Sequence, residues 1–127
     1  MHIEHLAFNL GDPIAAADWY CAHLGMHAVS MRRQSPVGAF IADDNDMRLE
    51  LYSKPADPMP LADLSADTFH LAFTTDDIEA DIARLVAAGA ATLGPVETTP
   101  RGDRLSFMRD PFGLCLQLAQ RVGDRRS

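Results

Sequence analysis

One four-residue string occurs twice in this chain. Residues 5–8 read His-Leu-Ala-Phe, and residues 70–73 read His-Leu-Ala-Phe again, about half of the 127-residue chain apart. The stretches downstream of the two copies are also alike. After the first come Asp12-Pro13, an Ala-rich helical pattern and Leu24-Gly25; after the second come Asp76-Asp77, another Ala-rich pattern and Ala88-Gly89. Each half then closes on a matching triplet, Leu49-Glu50-Leu51 and Leu116-Gln117-Leu118. A period of this kind outranks local propensity as evidence for architecture. It predicts a duplicated β-α-β unit with one polar side chain at each end.

The chain length suits one domain, 1–127, made of two modules at about 1–53 and 68–120. The connection at 54–67 is rich in Pro. Modules of about 60 residues have marginal cores alone, so they read as halves and not as independent domains. The formal net charge of −7 with a pI near 5.0 argues against a nucleic-acid partner, because neutralising phosphates needs clustered Lys and Arg. It tilts any small-molecule ligand towards cations. No apolar run approaches the ~20 residues of a membrane span, and the start, Met1-His2-Ile3-Glu4-His5, lacks the pattern of a secretory leader. A cytoplasmic protein with no membrane partner is expected. Cys21 and Cys115 are expected to be free thiols.

Taken in order, residues 3–10 read as a strand with Glu4, Leu6, Phe8 and Leu10 on one face and Ile3, His5, Ala7 and Asn9 on the other. Asp12-Pro13 starts a helix, with Asp at the N-cap and Pro at the first turn. Ile14, Ala17, Cys21 and Leu24 form its expected buried stripe, and Gly25 stops it. Three strands come next, at about 26–31, 37–43 and 47–53. In the second half, Thr68 to Thr75 is a strand, Asp76-x-x-Glu79 is a capping box, and Ile78, Ile82, Leu85 and Val86 are the helix's apolar stripe. Strands near 91–96 and 104–109 precede a turn, Asp110-Pro111-Phe112-Gly113, and a last strand from Leu114 to Gln120. The charged tail, 121–127, is expected to fray.

Four strands at equivalent places each carry one coordinating side chain: His5, Glu50, His70 and Gln117. Any one of them alone is more often a structural residue than a ligand. The repeat sets them in matching registers, so two curved modules facing a common cavity would gather all four. Two imidazoles, a carboxylate and an amide oxygen suit a divalent borderline metal such as Ni, Zn, Mn, Co or Fe. Without metal, the same residues would line an organic-ligand pocket. His2, His23 and His27 have no repeat partner and read as surface residues; Trp19 and Tyr20 read as packing.

Nearly the whole chain resembles the vicinal oxygen chelate superfamily, which includes glyoxalase I, ring-cleaving dioxygenases, methylmalonyl-CoA epimerase, fosfomycin-resistance enzymes and bleomycin-resistance proteins. The resemblance rests on His5 to Asp12, on Trp19-Tyr20 through Leu24-Gly25-Met26, on Leu49-Glu50-Leu51, on Phe69 to Phe73, and on Asp110-Pro111-Phe112-Gly113 with Leu116-Gln117-Leu118. It implies an α+β fold of two tandem βαβββ modules whose curved mixed sheets surround a central cavity.

The resemblance also implies metal ligation by His5, Glu50, His70 and Gln117. The fourth departs from the family, which usually has Glu there. An amide oxygen can coordinate but cannot take a proton, and it leaves the site with one negative charge fewer. Glu50 is then the one candidate base for proton transfer next to a carbonyl.

The activity implied is a small glyoxalase I-like, metal-dependent lyase, isomerase or epimerase. The alternatives are a non-catalytic, drug-sequestering protein of the bleomycin-resistance type and an iron-dependent dioxygenase. A homodimer is also implied. Arg48 and Tyr52 flank Glu50 and Cys115 flanks Gln117, so all three are candidates for contact with substrate. Arg101 and Arg104, placed in the loop before the last strands, read first as solvated charges and second as contacts for an anionic substrate.

Overall fold

Each half alternates apolar and polar residues along its strands and breaks that pattern with one Asp-capped helix, and the result is the same ladder built twice. The computed structural model describes residues 1–123. The chain divides into two compact units, Met1–Met59 and Pro60 onwards.

In the first unit, β1 (Leu6–Asn9), α1 (Pro13–His23), β2 (His27–Arg32), β3 (Gly38–Ala42) and β4 (Arg48–Tyr52) succeed one another. The sheet order is β1-β4-β3-β2. β1 runs parallel to β4, and the other neighbours are antiparallel. In the second unit, a 3₁₀ turn (Leu61–Asp63) leads to β5 (Leu71–Thr74), α2 (Ile78–Ala87), β6 (Ala91–Thr92), β7 (Glu97–Thr98), β8 (Arg104–Arg109) and β9 (Cys115–Gln120). β5 is parallel to β9, β9 is antiparallel to β8, and β6 and β7 both pair with β8. Two mixed sheets and two helices make this an α+β fold, as expected. No helix among the described residues is long and apolar enough to cross a membrane.

The helices start where the Asp residues put them. The Asp12 carboxylate accepts from the Ala15 amide at 3.1 Å, with Pro13 in the first turn. In the second unit the cap is Asp77 and not Asp76: its carboxylate accepts from the Ala80 amide at 3.1 Å. Both Asp residues offer the right side chain, and the one adjoining the first helical residue wins. The amide of that residue, Ile78, is satisfied by the Gln120 side-chain oxygen at 2.9 Å.

One face of each sheet packs beneath its helix. α1 lies on β3 and β4, burying Ala16, Ala17 and Tyr20 with Ile41, Leu49 and Leu51. The helix is therefore rotated from the expected stripe. Tyr20 is 1% exposed, while Ile14, Cys21 and Leu24 are half-buried. The ring of Tyr20 removes more apolar surface from water than Cys21 can, so it sets the rotation. α2 lies on β6, β8 and β9, with Ile78 and Leu85 buried against Met108, Leu116 and Leu118. Val86, expected in its stripe, is 47% exposed.

Other departures are local. β1 begins at Leu6, because the residues before it have no strand partner, and Ile3 is exposed. The strand expected near 91–96 is two short pieces, β6 and β7, separated at Gly94 and Pro95. The tail holds further than expected: the Val122 amide and the Arg121 guanidinium both donate to the Asp103 carboxylate, at 2.8 and 3.2 Å. Residues 124–127 of the tail lie outside the described residues.

Both turns with Asp at their head are tied by that Asp. The Asp43 carboxylate accepts from the amides of Asn45 and Met47, both at 2.9 Å. The Asp110 carboxylate accepts from Phe112 at 2.8 Å and Leu114 at 3.0 Å. Such side-chain acceptors compete with continued strand and force the reversal.

Candidate functional site

The face of each sheet turned away from its helix carries the candidate residues. In the first unit, Ala7 of β1 stands opposite Glu50 of β4, and Glu50 stands opposite Phe40 of β3. In the second, Ala72 of β5 stands opposite Gln117 of β9, and Gln117 stands opposite Phe107 of β8. His5 and His70 each lie two residues before those alanines. The duplication in the sequence is thus a duplication of register.

It extends to ring contacts. The His5 imidazole meets the Phe40 ring edge-on, with centroids 5.3 Å apart and planes at 81°. The His70 imidazole meets Phe107 at 5.1 Å and 75°. Neither Phe40 nor Phe107 stands out from the sequence by itself. Both are recoverable from it as the residues opposite Glu50 and Gln117 once the hairpin registers are drawn.

The polar surroundings of the two imidazoles differ. His5 Nε2 lies 3.5 Å from the Glu50 carboxylate, and its Nδ1 lies 3.1 Å from the Glu4 carboxylate. Glu4 and His5 were expected on opposite faces. They meet because they precede the paired part of the strand, where alternation is not enforced. His70 Nδ1 lies 2.6 Å from the Ala66 carbonyl. A carbonyl only accepts, so Nδ1 carries the proton and Nε2 presents its lone pair.

The other candidates are distributed less favourably. Arg48 turns to Asp46, at 3.0 Å. Tyr52 has the Lys54 ammonium over its ring at 4.4 Å, a cation–π contact. Cys115 is 2% exposed, with its sulfur 3.8 Å from the Leu64 carbonyl. The segment covering it is fastened by Arg109, which donates to the carbonyls of Leu61, Leu64 and Gly113 at 3.1, 3.3 and 2.6 Å.

Arg104 is not in a loop: it opens β8 and is held in a two-pronged pair with Glu79 of α2, one arm at 2.8 Å. The pairing holds the Glu79 carboxyl below its usual range and raises the guanidinium further. The Cys21 thiol is pushed up, first by burial and then by the nearby Asp18 carboxylate. His2 and His27 are exposed, but His23 is half-buried with its ring 5.1 Å from that of Trp19.

The four-residue donor set is split between the two units, with His5 and Glu50 in the first and His70 and Gln117 in the second. Among the described residues, no three His, Cys, Asp or Glu side chains stand together as a group able to hold an ion. Taken unit by unit, the first offers an imidazole and a carboxylate, and the second an imidazole and a neutral amide.

The second unit has a cleft of about 190 Å³ on the same face as Gln117, between β8 and the loop joining β6 to β7. Leu93, Pro95, Glu97, Leu105 and Phe107 line it. Phe107 therefore touches His70 and the cleft.

Similar architecture occurs in solved structures. A glyoxalase family protein from Bacillus cereus superposes with a TM-score of 0.77 at 15% identity, covering 97% of this chain and 95% of that one. TnmS3, an antibiotic binding protein from Streptomyces sp. CB03234, superposes with a TM-score of 0.69 at 27% identity, covering 96% and 97%. A glyoxalase family protein from Enterococcus faecalis gives 0.70 at 26% identity, covering 94% and 97%. No curated protein matches the sequence. The family model described as Glyoxalase/Bleomycin resistance protein/Dioxygenase superfamily matches residues 2–118. The repeated register and this match over almost the full length give one conclusion: the chain belongs to the glyoxalase/bleomycin resistance protein/dioxygenase superfamily.

Proposed function

We propose that this protein binds a small organic molecule without transforming it, in the manner of a drug-sequestering protein. The observation that carries this reading is the pair of edge-on His–Phe contacts, His5 with Phe40 and His70 with Phe107. Each sets an aromatic face beside a hydrogen-bonding imidazole and a polar side chain from the next strand, Glu50 or Gln117. Ligand sites commonly join apolar and aromatic lining to a few placed polar groups. The 27% identity with an antibiotic binding protein over nearly the whole chain supports the same reading. A homodimer is the assembly expected, and light scattering would check it.

A metal-dependent lyase or isomerase is the second reading. It would use His5, Glu50, His70 and Gln117 as ligands and Glu50 as the base. The bond from His70 Nδ1 to Ala66 favours it, because metal-ligating imidazoles commonly fix their other nitrogen in this way. The ion would supply charge to stabilise an enolate. The neutral amide of Gln117, which leaves the set one negative charge short, counts against it.

Two measurements on the same preparation separate the readings. The first is elemental mass spectrometry of protein purified without chelator or His-tag. The second is saturation-transfer NMR against a panel of polycyclic antibiotics, with and without EDTA. The binding reading expects a micromolar ligand whose affinity is indifferent to EDTA and falls in His70→Ala. Near-stoichiometric Ni, Zn, Mn, Co or Fe that disappears in Glu50→Ala would overturn it in favour of the enzyme.

A further inference from the structure

Phe107 is shared between the His70 contact and the cleft above β8, and the composition of that cleft has its own chemical meaning. Glu97 of β7 is directly opposite Leu105 of β8, so their side chains share a face with Phe107, two residues along. The Leu93 amide donates to the Phe107 carbonyl at 3.0 Å, which carries the ladder past the end of β6 and sets Leu93 beside Phe107. Between these two rungs the chain leaves the sheet through Gly94 and Pro95. Gly94 has φ +155°, and the detour opens the cleft.

The walls are Leu93, Pro95, Leu105 and Phe107 with Gly94 and Ser106 between them, and the one ionisable side chain among the lining residues is Glu97. Three nearby cations are committed elsewhere, Arg104 to Glu79, Arg109 to three backbone carbonyls and Arg121 to Asp103, and Arg101, in the turn between β7 and β8, acts on the Asp103 carboxylate. Among the described residues the Glu97 carboxylate has no ion-pair partner. A carboxylate at the rim of a largely apolar cleft favours a ligand with a cation at one end and apolar surface at the other. The cleft is open to one side, and its volume of about 190 Å³ is enough to seat one six-membered ring, since a cavity of about 150 Å³ holds benzene.

We infer that this cleft is a binding site for a single aromatic ring bearing an alkylammonium group, with the ring against Leu105 and Phe107 and the ammonium on Glu97. The inference rests on the small-molecule-binding reading and assigns one part of the ligand to the second unit. Leu93, 45% exposed, would be covered by the bound ring.

The test is a ¹H–¹⁵N titration of the full chain with benzylamine, benzyl alcohol and benzoate at pH 7 and low salt. Benzylamine is expected to shift the amides of Leu93, Gly94, Glu97 and Phe107. Benzyl alcohol should bind about fivefold more weakly, as an exposed ion pair allows, and benzoate more weakly still. Glu97→Gln should abolish the preference for amine over alcohol, and added salt should narrow it in the wild type. Glu97 is exposed and has no ion-pair partner among the described residues, so this variant is expected to fold. Equal binding of benzylamine and benzyl alcohol, or an unchanged preference in Glu97→Gln, overturns the inference. Shifts confined to residues around His5 or His70, or no shift with any of the three probes, overturn it and leave the binding reading to the antibiotic panel.

Discussion

The Nδ1 proton of His70 is donated to the Ala66 carbonyl across 2.6 Å, and this bond alone decides which nitrogen faces outward. His5 has no such constraint: carboxylates lie near both its nitrogens. The two halves of the repeat therefore present chemically different imidazoles on the same scaffold. Long-range ¹H–¹⁵N spectra at pH 8 are expected to report the Nδ1–H tautomer for His70. An Nε2–H signature would contradict the Ala66 bond and remove the polarity assigned to this residue.

Acid should loosen the second unit first at two carboxylates. Glu79 is held low by Arg104, and Asp103 is held low by the Val122 amide and then by Arg121. A group whose folded pKa is depressed adds stability above its unfolded pKa and loses it as pH falls through the folded value. The contribution should be complete above about pH 5 and decline below about pH 4. Thermal melts of Glu79→Gln and Asp103→Asn should run below wild type at pH 7, with the gap narrowing as pH falls below about 4. Parallel curves over that range would exclude these groups as the source.

Gly113 is expected to tolerate no side chain. Its φ is +98°, and an added Cβ would sit 3.0 Å from the Ala62 amide nitrogen. Gly113→Ala should cost about 1–3 kcal/mol, read as a lower urea midpoint. A midpoint within error of wild type would mean that the 3₁₀ turn can move aside.

The thiols should be slow. Cys115 is enclosed under Leu64, and Cys21 has its pKa raised by burial and by Asp18. Enclosure keeps reagents from the Cys115 sulfur, and the raised pKa lowers the thiolate that Cys21 offers at pH 7. Reaction with Ellman's reagent is expected to be much slower than for a free thiol, and to reach both cysteines quickly in guanidinium. Rapid labelling of native Cys115 would show that its cover opens.

The repeat, the Asp-capped helices and the hairpin turns were legible because each depends on local chemistry: a carboxylate at a cap, a Pro in the first turn, an Asp at a reversal. The register came with the repeat. Less legible was everything set by competition between side chains at a distance. Tyr20 outweighs Cys21 in turning α1. Glu79 claims Arg104, and nothing in the spacing of residues 79 and 104 announces it. Cys115 lies beside Gln117 in sequence, yet Arg109 fastens a turn over it. The expected strand near 91–96 failed at Gly94 and Pro95, and that interruption makes the cleft.

The connection between the halves is pinned from both directions. The Asn9 side chain donates to the carbonyls of Ala56 and Asp57 and accepts from the Lys54 amide. The Arg109 guanidinium grips Leu61 and Leu64. A stretch that composition marks as the natural place for a protease nick or a foreign insert therefore spends most of its length as trim on one half or the other. Even its middle is held, the Met59 amide donating to the Asn9 carbonyl at 2.8 Å, so a guest peptide placed between Lys54 and Leu64 would cost one half part of its fastening.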